Sequence, residues 1–530
     1  MKNIFKNTTI AFMVIIAVGC SDALTTGPSV EISDNDVLNS VPQLNKVLTS
    51  TYRQLYFNSD GGGSGDRVYA GIPGFQMYVD LGGSDILCTE NMGSNQLTCY
   101  RYIPAKTQGS QENTGYLWRM CYNVINHTNI ILTNIDAADG IDTDKDYVKG
   151  QALAMRALMY FHLIQNYQQT YVIAQNKRGV ILRTSANDNV HKGFSTVAEV
   201  YSQIVTDLTE AKSLLANFTA PNLWTINSTI CSGILARVYL VMQNWEGAYN
   251  EAKIVYDRHS TLMTRDQYRD GFDKMISSGY PEVAWAMKYT DDNNVGGSTQ
   301  FNFWYNQDPS YGEGFNEGPI YAFLTFFVDS KFYDLFEQSE DRYQFWKRTQ
   351  NASTHISSKW AFDKYKHYGN RDGAVGGDTR PEVCLMRGSE MLLIMAEATA
   401  KRGNATEAQT LLNRLQTARG VTNLTSATGD QLLEAIYIER RKELICEGQT
   451  GLYDLLRLQR RLVRQGVSNS NPAGHYQWGL DNLNGYVATA EEPSGFFDSN
   501  DYRLLCQIPA YEILRNEAIS EEDQNPFSGQ

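Results

Sequence analysis

The strongest constraint on the fold is a helical period that restarts after very short breaks. Apolar residues recur every three or four positions in Gln43–Tyr56, Tyr116–Ile135, Tyr147–Tyr167, Ser195–Leu215, Asn227–Met242, Trp245–Asp257, Arg387–Lys401 and Thr406–Ala418. Only Gln243-Asn244 separates one neighbouring pair, and Arg402-Gly403-Asn404-Ala405 separates another. Gly403 suits the left-handed end of a helix. Ser195, with Glu199 shortly after it, marks a helix start.

Two of these pairs place small residues where their helices cross. Ala236 or Ala396 lies on the first helix, and Ala248 with Ala252, or Ala408, on the second, beside large apolar residues. Small residues let the backbones approach, and the large neighbours fill the flanks. The pattern resembles the tetratricopeptide repeat, an antiparallel helix pair of about 34 residues. The expected fold class is mostly α: about four tetratricopeptide-like pairs form a scaffold, interrupted by long loop-rich insertions near 60–114, 280–385 and 468–501 that carry the binding surface. Asp60–Thr114 and Tyr280–Tyr321 do not read as helical. Long loops in compact proteins are usually functional, and these are too aromatic for simple linkers.

Composition excludes several functions. The 530 residues include 46 basic and 59 acidic side chains, a net charge of −13, so no nucleic-acid partner is expected. There is no Gly-x-Ser-x-Gly elbow, no His-Glu-x-x-His and no phosphate-binding Gly-Lys-Ser/Thr loop. No enzyme and no cofactor or metal is implied. The 32 Tyr, 21 Phe and 8 Trp, in a chain of mean hydropathy −0.39, fit large cores or surfaces built by stacking.

The N-terminus reads as an address. Two lysines in Met1–Lys6, an apolar run from Ile10 to Val18 and small residues before Cys20 form a signal peptide over 1–19. The run is shorter than the roughly 20 residues a spanning helix needs. Ala17-Val18-Gly19-Cys20 resembles a lipobox, which makes Cys20 the lipidated residue, 20–36 a tether and 37–530 a single domain. Of the other cysteines, Cys88–Cys99 and Cys99–Cys121 are possible disulfides.

Glu439 and Glu443 stand four residues apart on one helical face, a spacing that superficially resembles paired catalytic carboxylates. With Arg440, Glu447 and Arg457 nearby, a structural ion-pair network is the expected reading.

Several motifs then occur in one order. They are Arg156-Ala157-x-x-Tyr160-Phe161; Asp207-Leu208; Ala236-Arg237 with Trp245-Glu246-Gly247-Ala248; and Arg387, Glu390 and Ala396-Glu397-Ala398. Glu439-Arg440-Arg441-Lys442-Glu443 with Glu447-Gly448 follows, then Ile508-Pro509 and Gln524-Asn525-Pro526. Together, behind the lipobox, they resemble the SusD/RagB family of outer-membrane nutrient-binding lipoproteins of Bacteroidetes. One position departs: Thr450 stands where the family has Arg, and Asp454 is displaced by one residue.

The resemblance implies a non-enzymatic binder of glycans. It also implies a SusC-like TonB-dependent barrel transporter as partner, and a lipid anchor in the outer membrane, facing the exterior. A peptide binder of the same fold is the alternative. Sugar rings offer C–H faces to aromatics and hydroxyl rims to amides and arginine. The densest such segment is Phe301–Asp308, where Phe303, Trp304 and Tyr305 are the foremost candidates, with Tyr311 close behind. The second is Asn91–Tyr102, with Asn95, Gln96, Tyr100, Arg101 and Tyr102.

Overall fold

The computed structural model describes residues 38–56, 71–88, 100–102, 113–186, 188, 191–270, 272, 275–289, 326–348, 360–362, 364, 382–466, 468, 474–475, 480, 484–487 and 494–526. Helices dominate: α1 Val41–Gln54, α2 Gly71–Leu81, α3 Asn113–Asn134, α4 Asp142–Tyr167, α5 Val197–Leu214, α6 Ser228–Met242, α7 Trp245–Arg258, α8 Gly388–Lys401, α9 Ala405–Ala418, α10 Gly429–Leu444 and α11 Gly451–Arg457. From α3 to α8 each helix packs on the next, α8 packs on both α9 and α10, and α1 lies against α3 and α4. This mostly α architecture, with consecutive helix pairs, is the one expected.

Local chemistry fixes the boundaries. Thr196, rather than Ser195, caps α5, and its hydroxyl and the Glu199 carboxylate form a reciprocal capping box. Gln243 turns at φ 58°, and Asn244 then accepts from the Gly247 N–H to start α7. Gly403 (φ 85°) and Asn404 do the same between α8 and α9. At the crossings, Ala236, Ala248, Ala252, Ala396 and Ala408 are wholly buried.

The ordered motifs are inter-element clamps. Arg156 on α4 grips Asp207 on α5 through two bonds of 2.8 and 2.7 Å. Arg237 on α6 grips Glu390 on α8 at 2.7 and 2.6 Å. Arg457 on α11 grips Glu397 on α8 at 2.6 and 2.8 Å. Bidentate pairs of this kind set orientation as well as distance. In the tail, the Gln524 amide accepts from Ile508 N at 2.8 Å and donates to Ile508 O at 2.9 Å, and Asn525 donates to Tyr167 O at 2.9 Å.

Two expectations are corrected. Asp60–Thr114 contains α2, which Gly71, Pro73 and Gly74 disfavour by propensity; burial of every residue but Tyr78 overrides that. Cys121 carries a free, buried thiol, so the Cys99–Cys121 disulfide is not formed.

Short strands complete the fold: β1 Ile86–Cys88, β2 Val283–Lys288, β3 Phe326–Val328, β4 Trp346–Arg348, β5 Trp360–Phe362, β6 Glu382–Arg387, β7 Leu462–Gln465, β8 Asn484–Val487 and β9 Ser494–Phe497. They form antiparallel sheets in the orders β1-β3-β5-β4, β2-β6 and β7-β9-β8. No helix among the described residues is long and apolar enough to cross a membrane.

Candidate functional site

The β1-β3-β5-β4 sheet is where the candidate loops are rooted. Cys88, the last residue of β1, is the register partner of Phe326, the first of β3. The chain therefore leaves toward Asn95 and Gln96, and returns from Phe303, Trp304, Tyr305 and Tyr311, at adjacent positions of one sheet end. Paired Cα atoms in such a ladder are ~4.5–5.5 Å apart. Antiparallel pairing of Val328 with Trp360 brings Phe362, the end of β5, to that same end. Asn95, Gln96, Phe303, Trp304, Tyr305 and Tyr311 themselves lie outside the described residues, as does Cys20.

The described part of the second loop behaves differently from expectation. The Tyr100 ring is wholly buried and Tyr102 is 5% exposed, so neither presents a face for a sugar to stack on. They are anchors. Tyr100 Oη and His475 Nδ1 are 2.5 Å apart, and the other ring nitrogen of His475 lies 2.9 Å from Ser84 O. Tyr102 Oη donates to Gly82 O. Buried Arg464 stands over the Tyr100 ring, 4.3 Å from its centroid, and donates to Leu81 O at 2.8 Å and Gly83 O at 2.9 Å. A cation at the carbonyl end of α2 opposes the negative pole of that helix. Arg101 is half-buried, the most accessible residue of the three. Arg464 and His475 were not legible as anchors, because they reach Tyr100 across more than 360 residues of sequence.

A buried charge network adjoins the sheet through Lys364, just beyond β5. Glu282, Glu340, Glu439, Glu443 and Glu447 face Arg342, Lys364, Arg387, Arg419 and Lys442, five charges of each sign, none with a side chain more than 6% exposed. Glu443 is its hub. It accepts from Arg419 Nη2 at 2.9 Å, from Arg342 Nη1 at 3.1 Å and from Arg387 Nη1. Burial alone would raise the Glu443 carboxyl; the guanidinium groups of Arg419, Arg387 and Arg342 outweigh it and hold it well below the usual range. Burial likewise opposes ionisation of Glu447 and Glu282, and arginine neighbours, with Lys364 at Glu447, hold both low.

This network ties the loop roots to the helices. Lys364, just beyond β5, donates to Ile445 O at 2.9 Å and to Glu447. Arg441 of α10 holds Asp85, just before β1, at 3.0 Å. Every charged residue of Glu439–Glu443 is spent on structure, as the spacing predicts. The departure at Thr450 leaves the local pair intact: Asp454 is held by Arg440 at 3.1 Å and by Arg457 at 2.6 Å. Glu447-Gly448 has a steric reason too. Gly448 turns at φ 67°, and a Cβ there would lie 2.3 Å from Gln76 Cα on α2.

The chain is similar to known proteins over most of its length. Residues 66–240 match the model of a SusD-like family described as starch-binding and associating with the outer membrane, and residues 337–527 match the SusD family model. SusD-like protein P38 of Formosa agariphila is 26% identical over 90% of this chain and 96% of its own length. A SusD-like carbohydrate binding protein from Bacteroides vulgatus superposes with a TM-score of 0.74 at 25% identity, over 92% of this chain and 99% of that one. Surface glycan-binding protein A from Bacteroides thetaiotaomicron, solved in complex with laminarihexaose, shares the fold with a TM-score of 0.65 at 16% identity, over 92% and 99%. Motifs, clamps and matches agree: the chain belongs to the SusD/RagB family of carbohydrate-binding, outer-membrane-associated proteins.

Proposed function

We propose that the protein captures a glycan on its loop face and passes it, unaltered, to a SusC-like TonB-dependent barrel, while lipid on Cys20 holds it on the outer face of the outer membrane. One observation carries the reading. The amide-bearing segment 89–99 leaves, and the ring- and amide-rich segment 290–325 returns, at the paired residues Cys88 and Phe326 of a single sheet end. That end is tied, through Lys364 just beyond β5, to a neutral, buried charge network. Loops on a rigid base are suited to a polymer ligand that needs a few fixed stacking and hydrogen-bonding groups. The ligand residues of this reading are Trp304 and Tyr305, then Phe303, Tyr311, Asn95, Gln96 and Arg101; Tyr100 and Tyr102 hold the base.

The test is affinity electrophoresis of the purified chain through gels containing different polysaccharides, in parallel with titration of a peptide mixture. Retardation by at least one polysaccharide is expected, and loss of it in Trp304→Ala/Tyr305→Ala. Peptide binding without any polysaccharide retardation would replace the glycan reading. Retardation that the double variant leaves intact would remove those two residues from the site.

A further inference from the structure

A concavity of about 720 Å³ lies on the helical side, between α1, the start of α4 and the segment 218–225. It falls within the ~300–1,000 Å³ typical of small-ligand sites. Four half-buried rings line it: Tyr52, Tyr147, Phe218 and Trp224. The Tyr147 and Phe218 rings pack 4.9 Å apart at 49°. Ile141, 69% exposed, stands at the lip.

Polar groups beside these rings are unspent. Asn45 and Asp144 are exposed lining residues, and neither side chain has a hydrogen bond or ion pair among the described residues. Asn222 uses its carbonyl oxygen on Trp224 N at 3.1 Å and Thr225 N at 2.9 Å, which leaves its NH₂ group available.

Much of the backbone, by contrast, is occupied. α1 and α4 satisfy their own interior groups. Ile226 N donates to Tyr52 Oη at 2.8 Å, Leu223 O accepts from Ala286 N at 3.2 Å, and Trp224 O accepts from Trp285 Nε1 at 3.3 Å. An extended peptide adds to a free strand edge, and this wall offers none. What remains is apolar ring surface flanked by amides and one carboxylate, the complement of a pyranose with its C–H face and hydroxyl rim.

We infer that this groove is a second carbohydrate subsite, separate from the loop face, that takes a short stretch of a neutral oligosaccharide. The inference rests on the glycan reading above. Its test is isothermal titration of the full chain with laminarihexaose, maltohexaose, cellohexaose and mannohexaose. Two binding events are expected for at least one hexaose. Phe218→Ala should weaken one of them about three- to tenfold, and Asp144→Ala about threefold or more. Trp304→Ala should leave that event unchanged. Asp144 makes no side-chain hydrogen bond or ion pair among the described residues, so its variant should lose only the modest helix-dipole contribution of its first-turn position, melt close to the wild type and separate lost binding from lost structure. Hexaose binding that both groove variants leave at wild-type strength overturns the subsite and spares the glycan reading. No binding of any of the four at millimolar concentration overturns both.

Discussion

Glu443→Gln tests whether the buried charge network is a balanced unit. The substitution keeps shape and removes one negative charge, leaving four carboxylates against five cations in a region with side chains at most 6% exposed. It also turns an amide NH₂ toward guanidinium donors that Glu443 now satisfies: Arg419 at 2.9 Å, Arg342 at 3.1 Å and Arg387. Removing one member of a buried pair typically costs ~3–5 kcal/mol, because the surviving charge is left desolvated and unpaired. Here Arg387 and Arg419 keep Glu282 as a partner, at 2.8 and 3.0 Å, which argues for the lower end, about 3 kcal/mol. With a urea dependence of ~3 kcal/mol per M, the unfolding midpoint should fall by about 1 M. Near-UV circular dichroism reports it. A midpoint moved by less than about 0.3 M would show that the network contributes little and that the helices alone hold the loop base.

Two further outcomes follow from the same geometry. Glu282, Glu443, Glu447 and Asp454 are all held below their ordinary values, so each is more easily protonated unfolded than folded. Their stabilisation is complete above the unfolded carboxylate range, ~4–4.5, and is lost as pH falls through the depressed folded values; thermal melts should drop steeply below about pH 4.5, and flat melting down to pH 3 would contradict the network. Gly448→Ala, which must take φ 67° and meet Gln76 Cα at 2.3 Å, should destabilise by at least about 2 kcal/mol, measured by urea titration, whereas exposed Gly429→Ala, with nothing within 4 Å of its Cβ, should cost only the backbone strain, about 1 kcal/mol.

Helices were legible because their apolar period is a local signal, as was the break at Gly403, while the cap of α5 fell one residue on from Ser195, at Thr196. α2 was hidden: Gly71, Pro73 and Gly74 argue locally against a helix that tertiary burial alone sustains. Tyr100 and Tyr102 show the limit for the site. An aromatic next to amides and an arginine reads identically whether its ring faces a ligand or is buried under Arg464, since the deciding contact comes from a distant strand. The groove of Tyr147, Phe218 and Trp224 was invisible for the same reason. Its walls come from separate segments, each of which reads as ordinary helix face or turn.

The β1–β3 pairing has a consequence for how the molecule matures. Cys88 and Phe326 are joined across more than two hundred residues, which include the whole run α3–α7. Closing so large a loop is entropically unfavourable until the intervening helices have shortened the distance. The helical body should therefore consolidate first and the β1–β3 pairing last, so that a partly folded chain has its helical frame before the sheet end from which 89–99 departs is closed.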